Sequence, residues 1–181
     1  MQAERTRRLP GDVRADAHAA LRVDHAGEYG AQRIYAGQLA VLKHDACAPE
    51  IRHMAAQEQV HLAAFNRLLP EHGVRPTALL PLWHVLGFAL GAASARIGPK
   101  AAMACTVAVE TVIAEHYQKQ LDDGVLPGGE VTDLVRQFRG EELEHHAIGL
   151  AHDAESAPFY GPLSLAVQGI CRAAIRLSSI L

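Results

Sequence analysis

The stretches EQVH at residues 58–61 and ELEH at residues 142–145 decide how this sequence folds. Each places a glutamate three residues before a histidine, and residues three apart share one face of an α-helix. A carboxylate and an imidazole that point the same way can hold one metal ion. A single pair of this kind is more typical of a solvated helix surface than of a metal site. The repetition of the pair shifts the interpretation towards a metal site.

A further glutamate precedes each pair by one helix, Glu28 before the first and Glu110 before the second. One glutamate from each of two helices and one Glu-x-x-His from each of two others is the ligand plan of di-metal carboxylate four-helix bundles. Four carboxylates balance two divalent ions, and mixed oxygen and imidazole ligands suit iron or manganese rather than structural zinc. The predicted metal ligands are Glu28, Glu58, His61, Glu110, Glu142 and His145.

Glu110 lies in residues 103–114, a stretch with no other charged residue. An unpaired buried charge is costly, so either a cation compensates Glu110 or its carboxyl group is protonated. His25 lies three residues before Glu28 on the same helix face. This histidine is either an outer partner of the metal site or a surface residue.

The register of the second pair is ambiguous, because residues 141–146 contain three glutamates and two histidines. The pairs Glu141/His145 and Glu142/His146 have the alternative helical spacing of four. We choose Glu142 with His145 because this pair repeats the spacing of the first motif. Glu144 then points to the opposite side and is expected to be a solvated or packing residue.

Composition predicts an all-α chain of one domain, residues 1–181. Aromatic residues make up 5% of the 181 residues, while alanine, leucine and glutamate are plentiful, which favours helices. The net charge of −3 argues against a nucleic-acid partner. The three cysteines are far apart and indicate reduced thiols in a reducing compartment, and residues 1–16 lack the apolar segment of a secretory signal.

Proline, glycine and candidate capping residues divide the chain into six predicted helices. Asp12 or Asp16 is a candidate cap for the first helix, and Thr132 for the fifth. Gly73 suits the position that follows the second helix. The four ligand helices are predicted at about 13–45, 49–72, 100–122 and 132–155, and two additional apolar helices at about 77–97 and 159–181.

Residues 76–95 carry no formal charge and are about as long as a membrane span. A single crossing would leave Glu28 and Glu110 on opposite sides of the bilayer, so the six ligands could not meet. We therefore expect this segment to face the membrane without crossing it alone, the alternative being a plain core helix. The last helix is also apolar, and Arg172 and Arg176 are expected to meet lipid phosphates unless this helix only packs on the bundle.

Four segments together resemble the demethoxyubiquinone hydroxylases of ubiquinone biosynthesis, from about Ala15 to the C-terminus. The segments are LRVDHAGEYGAQRIYAGQ (21–38), QEQVHL (57–62), VETVIAEHY (109–117) and FRGEELEHHAIGLAHDAESAP (138–158). The resemblance implies a ferritin-like bundle with two membrane-facing helices and the same six iron ligands. It implies O₂-dependent hydroxylation of a polyprenylated demethoxy-benzoquinone or its quinol at a carboxylate-bridged di-iron centre. It also implies catalytic roles for His116 and Tyr117, near the site and linked to the quinone or to electron transfer.

The resemblance further implies two iron ions per chain, O₂ as co-substrate, and an external reductant, NADH or the quinol itself. The implied partners are membrane lipid, a lipophilic quinone and other proteins of ubiquinone biosynthesis. Because the sequence shows no mitochondrial transit peptide, we expect a peripheral protein on the cytoplasmic face of a bacterial inner membrane. Two alternatives are a ferritin-like iron-storage protein and a metal-free, membrane-associated helical scaffold.

Overall fold

A computed structural model of the chain describes residues 13–181, with side chains from residue 16 onwards. Within this range the secondary structure is helical and contains no strand, which confirms the all-α prediction. The α-helices are α1 (Val13–Leu42), α2 (Ala48–Glu71), α3 (Leu80–Ile97), α4 (Pro99–Asp123), α5 (Glu130–Ala151) and α6 (Tyr160–Ile180), and a 3₁₀ turn spans Ala154–Ser156.

The helices form two hairpins, α1 with α2 and α4 with α5, which pack together into a bundle compatible with the ferritin-like fold. The third helix, α3, is the crossover between the hairpins and lies mainly along α1, while α6 lies across α4 and α1. Each hairpin is therefore followed by one apolar helix, and these two helices cover the same side of the bundle.

Several predicted helix ends differ from the structure. The fifth helix begins at Glu130 after Gly129, so Thr132 lies inside it and is not the cap. It ends at Ala151, because Asp153 has the left-handed φ of 58° and the chain continues as a 3₁₀ turn. Asp16 lies in the first turn of α1 and is not its cap, and Asp12 lies outside the described residues. Gly73 follows α2 with a φ of 67°, as predicted.

The bundle core consists of apolar clusters towards its two ends. One contains Tyr35, Met54 and Met103, and another contains Phe65 and Phe138. Residues 101–110 of α4 are all buried, which explains why this stretch tolerates so few charges. The polar site described below lies between these clusters, where apolar side chains shield it from water at both ends.

The apolar helices α3 and α6 present most of their apolar residues to the outside. Both are long and apolar enough to cross a membrane, yet only 17% of α3 and 11% of the most apolar window of α6 are buried. The core-helix interpretation of residues 76–95 therefore does not hold. On α6, Arg172 donates to Glu115 of α4 at 3.1 Å, so it is already paired, while Arg176 is exposed.

Close approach between α1 and α3 depends on glycine. A Cβ atom on Gly91 would overlap the carbonyl oxygen of Ile34 and lie 2.8 Å from its carbonyl carbon. A Cβ on Gly37 would lie 2.7 Å from the backbone nitrogen of Ala92 on the facing helix. Glycine thus brings the two backbones into contact along this seam.

Candidate metal centre

The six predicted ligands meet in one cluster at the centre of the bundle, and each is fully buried. They come from all four bundle helices: Glu28 from α1, Glu58 and His61 from α2, Glu110 from α4, and Glu142 and His145 from α5. They form two overlapping groups of four, and within each group one ligand atom per residue lies within 4.8 Å of the others. One group is Glu28, Glu58, His61 and Glu142, and the other is Glu58, Glu110, Glu142 and His145. Glu58 and Glu142 belong to both, as expected of residues shared between two ions.

The cluster contains buried polar atoms with no hydrogen-bond partner among the described residues. The atoms without a partner are both oxygens of Glu58 and of Glu142, one oxygen of Glu110 and Nδ1 of His145. Burying an unpaired polar or charged group costs several kcal/mol (roughly 1–3 even for a neutral group). Two divalent cations would give these atoms partners and balance four carboxylates. The donor set therefore fits a di-metal site.

Burial sets the protonation of the cluster. Loss of water and the neighbouring carboxylates raise the pKa of Glu58 and Glu110 well above the usual range. Burial also acts to raise the pKa of Glu142, but the adjacent imidazoles of His145 and His61, each with Nδ1 3.2 Å from a Glu142 oxygen, outweigh burial and hold that pKa below its usual range. In the metal-free protein, the cluster therefore keeps protons that divalent ions would displace.

The two histidines point the same ring nitrogen at the cluster. Nδ1 of His61 lies 3.2 Å from Oε2 of Glu28 and 3.2 Å from Oε1 of Glu142. Nδ1 of His145 lies 3.2 Å from Oε1 of Glu58 and 3.2 Å from Oε2 of Glu142. Nδ1 is therefore the atom of each imidazole that is placed to hold a metal, and Nε2 faces away from the cluster.

Two buried tyrosines hold the unshared glutamates across the bundle. Tyr35 of α1 donates to Oε1 of Glu110 on α4 at 2.5 Å, and Tyr117 of α4 donates to Oε1 of Glu28 on α1. Burial and the adjacent carboxylates raise the pKa of both phenols well above the usual value, so they remain donors. Tyr35 was missed from the sequence, although each tyrosine lies two helical turns after the glutamate of its own helix.

The second histidine nitrogens also find partners that the sequence prediction did not include. Nε2 of His61 lies 2.5 Å from Oε2 of Glu141, and Nε2 of His145 lies 2.9 Å from Oε1 of Gln57. Such outer contacts fix the ring orientation and the tautomer of a ligating histidine. The available signal was position, because each partner directly precedes the glutamate of a motif.

The resemblance placed both His116 and Tyr117 near the site, but only Tyr117 reaches the cluster. His116 is partly exposed, and its Nε2 lies 3.4 Å from Oδ1 of buried Asp24 and 2.9 Å from Nε2 of Gln120. His25 is buried, so it is not a surface histidine, and its Nε2 faces Oδ1 of Asn66 at 3.1 Å.

An apolar cavity of about 460 Å³ lies between the cluster and the outer helices. Gly27 and Val109, the neighbours of Glu28 and Glu110, line one side of it. Leu86 of α3 and Ile170 of α6 line it as well, and both are about half exposed at the outer surface. The cavity thus lies between the outer helices and the segments of α1 and α4 that carry Glu28 and Glu110, and its lining favours a lipophilic molecule.

A four-helix bundle whose helices converge with four glutamates and two histidines on one buried pocket defines a class, the carboxylate–histidine bundles built for two metal ions. Sequence comparison narrows the class to a family. Residues 15–178 match the family described as Ubiquinone biosynthesis protein COQ7, and the chain belongs to that family.

Relatives at high identity support this membership. The chain is 54% identical over 169 residues to the human "NADPH-dependent 3-demethoxyubiquinone 3-hydroxylase, mitochondrial", covering 91% of this chain and 78% of the human protein. It is 51% identical over 177 residues to the "3-demethoxyubiquinol 3-hydroxylase" of Rhodospirillum rubrum, covering 94% and 82%. It is 43% identical over 183 residues to the "5-demethoxyubiquinone hydroxylase, mitochondrial" of Saccharomyces cerevisiae, covering 89% and 78%. The resemblance seen in the sequence is confirmed, and the chain is a hydroxylase.

Proposed function

We propose that this chain hydroxylates a polyprenylated demethoxy-benzoquinone, or its quinol, with O₂ at two iron ions, as a late step of ubiquinone biosynthesis. One observation carries the proposal: a buried cluster with unpartnered ligand atoms lies on the same helices, α1 and α4, whose residues next to Glu28 and Glu110 line an apolar cavity facing α3 and α6. The names of the relatives support the quinone ring as the substrate. The cavity supports a ligand with a lipid tail.

Two irons held by the six ligands would supply the chemistry that activates O₂. Glu58 and Glu142 are placed to hold both ions, whereas Glu28 and Glu110 each serve one. Tyr117 and Tyr35 orient the unshared carboxylates by donating hydrogen bonds to Glu28 and Glu110, respectively. The apolar cavity, which is lined by Gly27 next to Glu28, would hold the quinone ring.

Insertion of one oxygen atom and release of the other as water consumes two electrons and two protons. The reductant therefore comes from outside the cluster. The name of the human relative specifies NADPH, whereas the name of the Rhodospirillum relative specifies no nicotinamide and describes a quinol. A nicotinamide nucleotide or the quinol is thus the proposed donor here, with NADH and NADPH to be compared directly.

The outer face formed by α3 and α6 is proposed to rest on the cytoplasmic surface of a bacterial inner membrane. Val85 and Leu86 of α3 and Leu165 and Ile180 of α6 are exposed there, and Leu86 also lines the cavity. An apolar face of this kind binds a lipid surface without crossing it. Lipids, the lipophilic quinone and other proteins of ubiquinone biosynthesis are the proposed partners.

The test combines iron counting with turnover in detergent. We expect about two irons per chain and transfer of ¹⁸O from labelled O₂ to a demethoxyquinone. Gly30 lines the cavity, and a Cβ there meets no atom within 4 Å, so the side chain of Gly30→Leu should extend into the cavity. This variant should keep both irons but lose at least about tenfold in kcat/KM, since tenfold corresponds to about 1.4 kcal/mol.

Gly169→Leu is the matched control, because Gly169 is a helical glycine with equal free space that does not line the cavity. Equal turnover of Gly30→Leu and Gly169→Leu would contradict the placement of the substrate in the cavity. Iron loading far beyond two per chain would indicate the storage protein instead. Absence of any tightly bound iron would favour the metal-free scaffold.

A further inference from the structure

The outer nitrogens of the two cluster histidines have chemically different partners. Nε2 of His61 faces the carboxylate of Glu141 at 2.5 Å, whereas Nε2 of His145 faces the amide oxygen of Gln57 at 2.9 Å. Both partner atoms are acceptors, so each ring carries a proton on Nε2 and keeps Nδ1 towards the glutamates. One histidine thus donates to a charged group and the other to a neutral group.

The glutamate, histidine and tyrosine groups around the two metal positions are otherwise balanced. Each group of four contains one histidine, one unshared glutamate and the same two shared glutamates. Each unshared glutamate also accepts one hydrogen bond from a tyrosine of the opposite hairpin. Among these contacts, the partner of the histidine is what distinguishes the two positions.

Glu141 is itself held in place. Its Oε1 accepts a hydrogen bond from Nε2 of Gln137 at 2.8 Å, which leaves Oε2 facing His61. The side chain is 25% exposed, so it can remain ionised while its partner histidine is fully buried. The negative charge of Glu141 therefore lies beside the ring of His61 only, and the hydrogen bond from Gln137 fixes its position.

We propose that Glu141 is a positioning residue that makes the two metal positions unequal, so that the ion beside His61 is bound more tightly than the ion beside His145. A carboxylate that accepts the outer N–H of a ligating imidazole increases the basicity of its other nitrogen, and such partners change metal affinity by about 10–100-fold. An amide oxygen provides a weaker, uncharged acceptor. This inference rests on the proposed di-metal function.

The experiment is metal occupancy at limiting supply. Metal-free protein is given one equivalent of Co²⁺ per chain and crystallised, and anomalous scattering measures the occupancy of each position. We expect the position beside His61 to hold at least about ten times more cobalt than the position beside His145. Glu141→Gln should bring the two occupancies close to equal. The double variant Gln57→Glu/Glu141→Gln should reverse the preference.

Glu144→Gln is the matched control, because it removes the same charge from an exposed position of the same helix. Equal occupancies in the unmodified protein, or equal effects of Glu144→Gln and Glu141→Gln, would overturn the inference. Should Glu141→Gln fail to fold, Gln57→Glu alone must move the occupancies towards equality. Saturation with excess Co²⁺ tests the di-metal site separately, since fewer than two ions per chain would contradict that site. The ratio of the two occupancies at one equivalent tests the role of Glu141.

Discussion

The glycine contacts between α1 and α3 predict that even an alanine substitution loosens the packing of the apolar helix α3. A Cβ on Gly91 would overlap the carbonyl oxygen of Ile34. This oxygen belongs to the backbone of a packed helix, so it cannot move away as a flexible side chain could. Overpacking of this kind costs about 1–3 kcal/mol. Replacing a helical glycine by alanine returns about 0.5–1 kcal/mol through chain entropy. Gly91→Ala should therefore destabilise the protein by about 1–2 kcal/mol.

The measurement is thermal unfolding in detergent, where a loss of this size lowers Tm by about 2–8 °C for a chain of this length. Gly30→Ala is the matched control, because Gly30 lies on α1 along the same seam and its Cβ would meet no atom within 4 Å. That variant should gain about 0.5–1 kcal/mol. If Gly91→Ala proves as stable as Gly30→Ala, the close contact between the two helices does not exist.

Three further predictions concern protons, thiols and lipid. Burial raises the folded-state pKa of Glu58 and Glu110, so their stabilising contribution is present at acid pH and is lost as the pH rises through these raised pKa values. Metal-free protein should therefore show a lower Tm at about pH 8 than at about pH 5.5, and added Fe²⁺ should restore the Tm at the higher pH. Burial raises the pKa of Cys105 to about 12, so mass spectrometry should find it alkylated at about pH 8 only after unfolding. Val85→Asp on α3 should weaken flotation with lipid vesicles at least about tenfold, whereas Val60→Asp on α2, with 62% exposure against 61%, should not. Unchanged Tm between the two pH values, alkylation of the native protein, or equal flotation of the two valine variants would contradict the respective prediction.

Much of the ligand cluster could be predicted, because helical spacing depends only on residues that are close together in sequence. The repeated Glu-x-x-His motif indicated a face of α2 and a face of α5, and the structure brings those faces together. The same argument chose Glu142 over Glu141 as the cluster member, and Glu141 lies outside it with a side chain 25% exposed. Spacing could not reveal which helix a tyrosine would face. Tyr35 shares a helix with Glu28 but donates to Glu110, a contact that depends on how two hairpins pack.

Other features could not be predicted because they depend on tertiary contacts. The positions of Gly87 and Gly91 in the sequence do not indicate which helix they face, whereas in the structure they lie where α3 meets α1. His116 and Tyr117 are adjacent in sequence, yet Tyr117 reaches the cluster, whereas the partly exposed His116 contacts the buried carboxylate of Asp24. Adjacent helical residues point about 100° apart, so a resemblance between segments does not assign both the same role.

The two hairpins and their following apolar helices contribute almost interchangeable parts to the site. Each half supplies a glutamate, a tyrosine two turns later and a Glu-x-x-His, and each tyrosine serves the glutamate of the other half. Two identical half-length chains related by a two-fold axis could make all of these contacts. They could not place a carboxylate against one histidine and an amide against the other, because symmetry would repeat either choice. Because both halves belong to one polypeptide, the positions of Gln57 and Glu141 can hold different residues, and the two ends of the buried cluster can therefore differ.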